Sequence, residues 1–120
     1  MADAVKDLEW VGSSLEDLRA FPADARAVAG HQLWQVQNGS MPDEFKPMPA
    51  IGPGAYEIII DTGDAFRVFF VAKFGEAIYV LHAFQKKTKK TSHHDIARGE
   101  QLYRDVVKER QRRRGGGKTK

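Results

Sequence analysis

Arg67 stands inside the run Phe66-Arg67-Val68-Phe69-Phe70-Val71-Ala72. A guanidinium in so apolar a segment needs a carboxylate or an anionic ligand, because charged side chains are rarely buried unpaired. An ion pair to Glu57 or Asp61 on a paired strand is one answer, and a bound phosphate is the other. A second concentration of cations lies just past the next apolar run, where Phe84-Gln85-Lys86-Lys87-Thr88-Lys89-Lys90-Thr91 places four lysines and two threonines in eight residues. Ammonium groups lower the energy of a phosphodiester backbone, and hydroxyls donate to its non-bridging oxygens. Should Arg67 converge with Lys86 or Lys87, the group would surround one scissile phosphate and stabilise the charge of a five-coordinate transition state without a metal.

The histidines are the obvious proton carriers, since their unperturbed pKa lies near neutrality. His82 falls at the end of an apolar run, and His93-His94 open the segment beyond the lysines. His31, in the first helical region, reads as a surface or packing residue. Adjacent His93 and His94 do not share a helix face, so no two-histidine metal site is expected there. The absence of cysteine removes disulfides, thiolate nucleophiles and Cys-ligated zinc, and points to an intracellular protein. No metal and no cofactor are expected. Gly117-Lys118-Thr119 imitates the end of a phosphate-binding loop, but the glycine required five positions earlier is Arg112.

These residues need a scaffold, and the apolar spacing supplies one. Leu8 to Val11 alternates as a short strand ending at Gly12. Ser13, three residues before Glu16, suggests a capping box for a helix over 15–20, and Pro22 opens a second helix that runs to Asn38, with Gly39 as its left-handed stop. Residues 39–54 hold four prolines and three glycines, so no regular element is expected there. Strands over 55–61, 66–74 and 77–84 follow, joined by turns of hairpin length that contain Gly63 and Gly75. In the second of these strands Arg67, Phe69, Val71 and Lys73 share a face. In the third, Ile78, Val80, His82 and Phe84 share one face and Tyr79, Leu81 and Ala83 the other. Hairpin register decides which of those faces meets Arg67. Ser92, three residues before Asp95, caps a last helix over 93–110. The order of strand, two helices, three antiparallel strands and helix is an α+β architecture.

The chain of 120 residues is sized for one domain over 1–110, and residues 111–120, without an apolar side chain, read as a disordered basic tail. Charge is divided along it: residues 1–60 carry four bases and nine acids, residues 61–120 fifteen bases and seven acids. The second half therefore suits a polyanionic partner, nucleic acid first. No apolar run approaches the roughly 20 residues of a membrane-spanning helix, and Met1 to Asp7 lacks the basic and apolar regions of an export signal. The expectation is a cytoplasmic protein with no membrane partner.

Tyr56-Glu57-Ile58, Phe66-Arg67-Val68-Phe69-Phe70 and above all Val80-Leu81-His82-Ala83-Phe84-Gln85-Lys86-Lys87-Thr88 resemble the phage-derived branch of the RelE/HigB superfamily, the toxin halves of type II toxin–antitoxin pairs. The resemblance spans about residues 8–110. It implies a small antiparallel sheet flanked by an N-terminal helical pair and a C-terminal helix. It also implies a metal-independent, ribosome-dependent endoribonuclease, an mRNA interferase, in which the RNA 2′-OH attacks the adjacent phosphate to leave a cyclic phosphate. On this sequence the family's second-strand arginine falls on Arg67 and its basic pair on Lys86 and Lys87, with His82 inside the motif. Lys73, Thr88, Lys89, Lys90, Thr91, His93 and His94 are the expected substrate contacts. The family's arginine after the Tyr-Glu pair is replaced by Ile58, Ile59 and Ile60, so Lys73 is the candidate to supply that contact. His82, His93, His94 and Tyr103 are all candidates for the general base. The partners implied are mRNA on the ribosome and a helix-turn-helix antitoxin. Two other functions fit the same residues: a non-nucleolytic relative acting on DNA gyrase through protein contacts, and an RNA- or DNA-binding module without cleavage.

Overall fold

The computed structural model describes residues 5–116, so the basic end 117–120, including Gly117-Lys118-Thr119, lies outside the described residues. Five strands and three helices follow in the order β1 (Asp7–Trp10), α1 (Ser14–Arg19), α2 (Ala23–Gln37), β2 (Phe45–Pro47), β3 (Ala55–Asp61), β4 (Ala65–Val71), β5 (Ala77–Lys86) and α3 (His93–Gly116). The sheet order is β1-β5-β4-β3-β2. β1 runs parallel to β5, and every other pair is antiparallel. The α+β expectation holds, with a mixed sheet.

The sheet separates two apolar layers. Phe21, Ala25, Ala29, Leu33 and Val36 of the α1–α2 side bury Ile58, Ile60, Phe66, Val68, Phe70, Ile78 and Val80. Leu102, Tyr103 and Val106 of α3 cover Phe69, Val71, Tyr79 and Leu81 on the other face. The four-residue and three-residue spacing of Ala25, Ala29, Leu33 and Val36 makes one helical stripe, which is why α2 lies flat on the sheet. Its end is set by Gly39, at φ +90°, a conformation costly for a residue with a Cβ. On the opposite face α3 approaches closely at Gly99, where a Cβ would stand 2.7 Å from Cδ2 of Phe69.

Several local expectations change. Ser13 makes no capping bond to the backbone; its Oγ donates to Asp17 Oδ2 at 2.7 Å instead. Ser14 turns inward and donates to the Val80 carbonyl, 3.0 Å, tying α1 to β5. The Pro-rich segment does hold an element, the edge strand β2, because Pro47 is its last residue and no ladder donor is needed from it. β4 ends at Val71 rather than Phe74, while β5 continues to Lys86. α3 continues past Arg110 to Gly116, supported by i,i+3 and i,i+4 ion pairs from Glu109 to Arg112 and Arg113. The described part of the expected tail is therefore helical.

The change that matters most for function is a bulge in the β4–β5 ladder. Phe69 pairs with His82 but Phe70 pairs with Val80, so Leu81 is the extra residue. A bulge of one residue reverses the alternation beyond it. Ile78 and Val80 stay on the α1–α2 side, while Leu81 and His82 both turn to the α3 side and Ala83 returns to the first layer. His82 and Phe84 thus do not share a face with Ile78 and Val80, as simple alternation predicted.

Candidate functional site

Register fixes the neighbours of Arg67. It stands opposite Phe84 on β5 and Ile59 on β3, and Ala65 stands opposite Lys86. Arg67, Phe84 and Lys86 consequently project from one face, the face that α3 begins to cover, with Lys86 on the diagonal from Arg67. Arg67 is buried, 8% exposed. Its Nη1 donates to the Phe66 carbonyl at 2.8 Å and to Asp61 Oδ1 at 3.2 Å. The Asp61 carboxylate is itself 58% exposed. Of the two acids considered for the ion pair, Asp61 is the one used.

Glu57 is committed elsewhere. Its side chain is fully buried, and its Oε2 accepts the Thr91 hydroxyl at 2.8 Å. Its Oε1 has the Lys46 ammonium at 3.5 Å, outside hydrogen-bond geometry. A buried carboxylate with so few partners is costly. It is satisfied by the chain that leaves β5, so it draws the segment 87–92 back across the sheet from Lys86 to β3.

Immediately after Thr91, Ser92 makes one half of the expected capping box, with the Asp95 N–H donating to Ser92 Oγ at 3.1 Å; Asp95 Oδ2 accepts the Ser92 hydroxyl, at 2.8 Å. The other carboxylate oxygen of Asp95 lies 2.8 Å from His82 Nε2. His82 stacks on Phe84, ring centroids 4.7 Å apart. One carboxylate therefore starts α3 and orients an imidazole on β5. His93 and His94 are exposed in the first turn of α3.

Lys87, Thr88, Lys89 and Lys90 are exposed in the connecting segment, and none of them is ion-paired among the described residues. Lys86 bends its ammonium onto the Lys89 carbonyl at 2.6 Å. Thr88 and Thr91 spend their hydroxyls internally, on the Lys90 carbonyl and Glu57.

Two expected contributors are elsewhere. Lys73 lies past the end of β4, its ammonium 5.3 Å from the centroid of the Phe74 ring. That is the opposite end of the strand from Asp61 and Lys86, so it does not take the place of an arginine beside Arg67. Tyr103 donates its hydroxyl to the Pro53 carbonyl within the α3 core layer, which removes it from the general-base candidates. Sequence reasoning missed Lys46 and the link from Asp95 to His82. Lys46 sits in a Pro-rich stretch without strand signal, and Asp95 had its capping role as sufficient explanation. Among the described residues no three His, Asp or Glu side chains group as metal ligands, and no helix is long and apolar enough to cross a membrane.

The sheet, the helical pair and the covering C-terminal helix define the RelE fold. A solved structure of a mutant of the E. coli toxin RelE in the free state superposes with a TM-score of 0.59, 14% identity, and coverage of 78% of this chain and 97% of that one. Comparison with curated proteins gives no match. The model of the family described as phage-derived protein Gp49-like matches residues 16–104. The chain belongs to that family, and its fold is that of RelE.

Proposed function

We propose that the protein is the toxin of a type II toxin–antitoxin pair, cleaving mRNA on the ribosome in the cytoplasm, and that it is neutralised by a helix-turn-helix antitoxin. The observation that carries the reading is the register that sets Arg67 and Lys86 on one face, where Lys86 opens a segment with three further lysines. An RNA phosphate reaching that face exchanges with Asp61 for the Arg67 guanidinium, a bidentate donor suited to phosphate. Lys86 and Lys87 supply further positive charge, and Lys89, Lys90, Thr88, His93 and His94 line the approach. Thr91 acts by holding the segment to Glu57.

In the reaction the 2′-oxygen forms a bond to phosphorus while the bond to the 5′-oxygen breaks. One proton leaves the 2′-OH and one arrives on the 5′-oxygen, giving a 2′,3′-cyclic phosphate and a 5′-hydroxyl. His82, held by Asp95, is the base that this arrangement supports best, because a carboxylate on one ring nitrogen fixes the tautomer and stabilises the imidazolium. Arg67, Lys86 and Lys87 stabilise the pentavalent phosphate.

Primer extension on a reporter transcript after induction tests the reading. Cuts inside translated codons are expected, lost when translation is blocked and lost in Arg67→Ala. A toxic and equally soluble Arg67→Ala variant removes Arg67 from the mechanism, and DNA damage with intact mRNA points to gyrase. The ion pair of Arg67 with Asp61 favours a second reading, RNA binding without cleavage, which gives strongly salt-dependent binding and no product.

A further inference from the structure

A separate concentration of cations lies at the far end of α3, and the candidate site does not use it. Five of the seven residues in Lys108-Glu109-Arg110-Gln111-Arg112-Arg113-Arg114 are basic. One of them is a fixed anchor. Arg110 donates from Nε and Nη2 to the two carboxylate oxygens of Glu76, at 2.6 and 3.1 Å. Its guanidinium carbon lies 3.9 Å from the centroid of the Phe74 ring. Glu76 also accepts from the Tyr79 hydroxyl at 2.7 Å. This clamp fastens the helix to the β4–β5 turn and neutralises Arg110.

The cations around the clamp are in surplus. Arg113 and Arg114 line, with Arg110 and Glu76, an open cleft of about 340 Å³. Arg112 and Arg113 share the single carboxylate of Glu109. Lys73, Lys108, Arg110, Arg112, Arg113 and Arg114 thus stand against Glu76 and Glu109, together with Glu9 and Asp105, which line a neighbouring pocket with Arg113, net +2. The ten residues of β5 separate this end from Lys86, which at a strand rise of about 3.3 Å is roughly 30 Å.

We propose that the far end of α3 is a second polyanion-binding surface that grips the phosphate backbone of a structured RNA. Three of its cations outside the clamp, Arg112, Arg113 and Arg114, are arginines, whose planar forks match phosphate oxygens in pairs, whereas the other end of the sheet offers mainly lysines. From Lys108 to Arg114 there is no apolar side chain, so the surface lacks what an interfacial helix inserts into a bilayer. A spacing of roughly 30 Å between the two patches suits an RNA large enough to reach both. The inference does not depend on cleavage.

The test measures binding of the full chain to three probes over a salt series: a long RNA duplex with a single-stranded overhang, a short single-stranded RNA, and vesicles of phosphatidylserine and phosphatidylcholine. For the long RNA the triple variant R112Q/R113Q/R114Q is expected to lower the slope of log K against log salt by about 2 to 3, at about 0.7–0.9 per phosphate contact, with the short RNA unaffected. Glutamine keeps helix propensity, and circular dichroism checks that α3 persists. Arg114→Gln, which breaks no ion pair among the described residues, is expected to lower the slope by about 0.7–0.9. An unchanged slope in both variants overturns the proposal, as does wild-type binding to vesicles but not to duplex RNA.

Discussion

Asparagine at Asp61 removes the one carboxylate that occupies Arg67 while preserving side-chain shape. The existing pair is a single contact of 3.2 Å from Nη1, its carboxylate more than half exposed. Exposed pairs of this kind are worth about 0–1 kcal/mol, and Arg67 keeps its bond to the Phe66 carbonyl, so Asp61→Asn is expected to cost under about 1 kcal/mol of stability. The same energy now opposes the entry of phosphate, because the guanidinium must release a carboxylate to accept one. Removing that competition, together with one local negative charge, raises RNA affinity by roughly two- to fivefold, the factor corresponding to about 0.5–1 kcal/mol. Fluorescence anisotropy with a non-cleavable RNA bearing 2′-deoxy at the scissile position reads binding apart from chemistry. Urea unfolding reads stability on the same samples. Weaker binding by Asp61→Asn at unchanged stability would refute the reasoning, since it would make the ion pair a support for Arg67 rather than a competitor.

Four further outcomes follow from the same geometry. Thr91→Val leaves Glu57 buried with only a distant ammonium and should lower stability by about 1.5–3 kcal/mol, the range for hydrogen bonds to charged groups, measurable by urea midpoint. Gly99→Ala forces a Cβ to within 2.7 Å of the Phe69 ring; the strain should exceed the helix-propensity gain and destabilise by about 1–2 kcal/mol, whereas a stabilised variant would show that α3 can shift. The Arg110 guanidinium holds the Glu76 carboxyl down at about 2. Because the folded pKa lies below the unfolded one, this stabilisation is complete above about pH 4.5 and is lost as pH falls toward 2. With Glu76 42% exposed solvent screening leaves about 1 kcal/mol, and Glu76→Gln should flatten that acid limb. Asp95→Asn weakens both the cap and the hold on His82; if His82 is the base, the RNA cleavage rate should fall by one to two orders of magnitude while RNA affinity is nearly unchanged.

The elements with strong period were legible: α2 from its alanine and leucine stripe, β3 to β5 from their apolar runs and glycine turns, and the start of α3 from Ser92 and Asp95. What was not legible depends on relations between elements. β2 is three residues long and stabilised only by pairing with β3, so its own sequence carries no signal. The end of α3 depends on the ion pairs of Glu109 and on the clamp between Arg110 and Glu76, a contact across 34 residues. Arg67 and Lys86 stood out in the sequence as candidate phosphate contacts. Their common face did not, because it depends on the bulge at Leu81, which no glycine or repeat marks in the sequence.

That bulge also explains why a capping residue and an imidazole meet. Without it, His82 would continue the face of Ile78 and Val80 and point into the apolar layer under α2. With it, His82 turns toward the first turn of α3, and Asp95 can serve the helix with one oxygen and the sheet with the other. The segment between them is pinned at its far end by Thr91 on Glu57, so its lysines are displayed on a loop whose two ends are fixed to β5 and β3. Fixed ends matter for a cation cluster, since like charges left to a free chain would spread apart and dilute the field that attracts a phosphate. The buried carboxylate of Glu57, through its bond to the Thr91 hydroxyl, is therefore what pins the lysine-bearing segment that leaves β5.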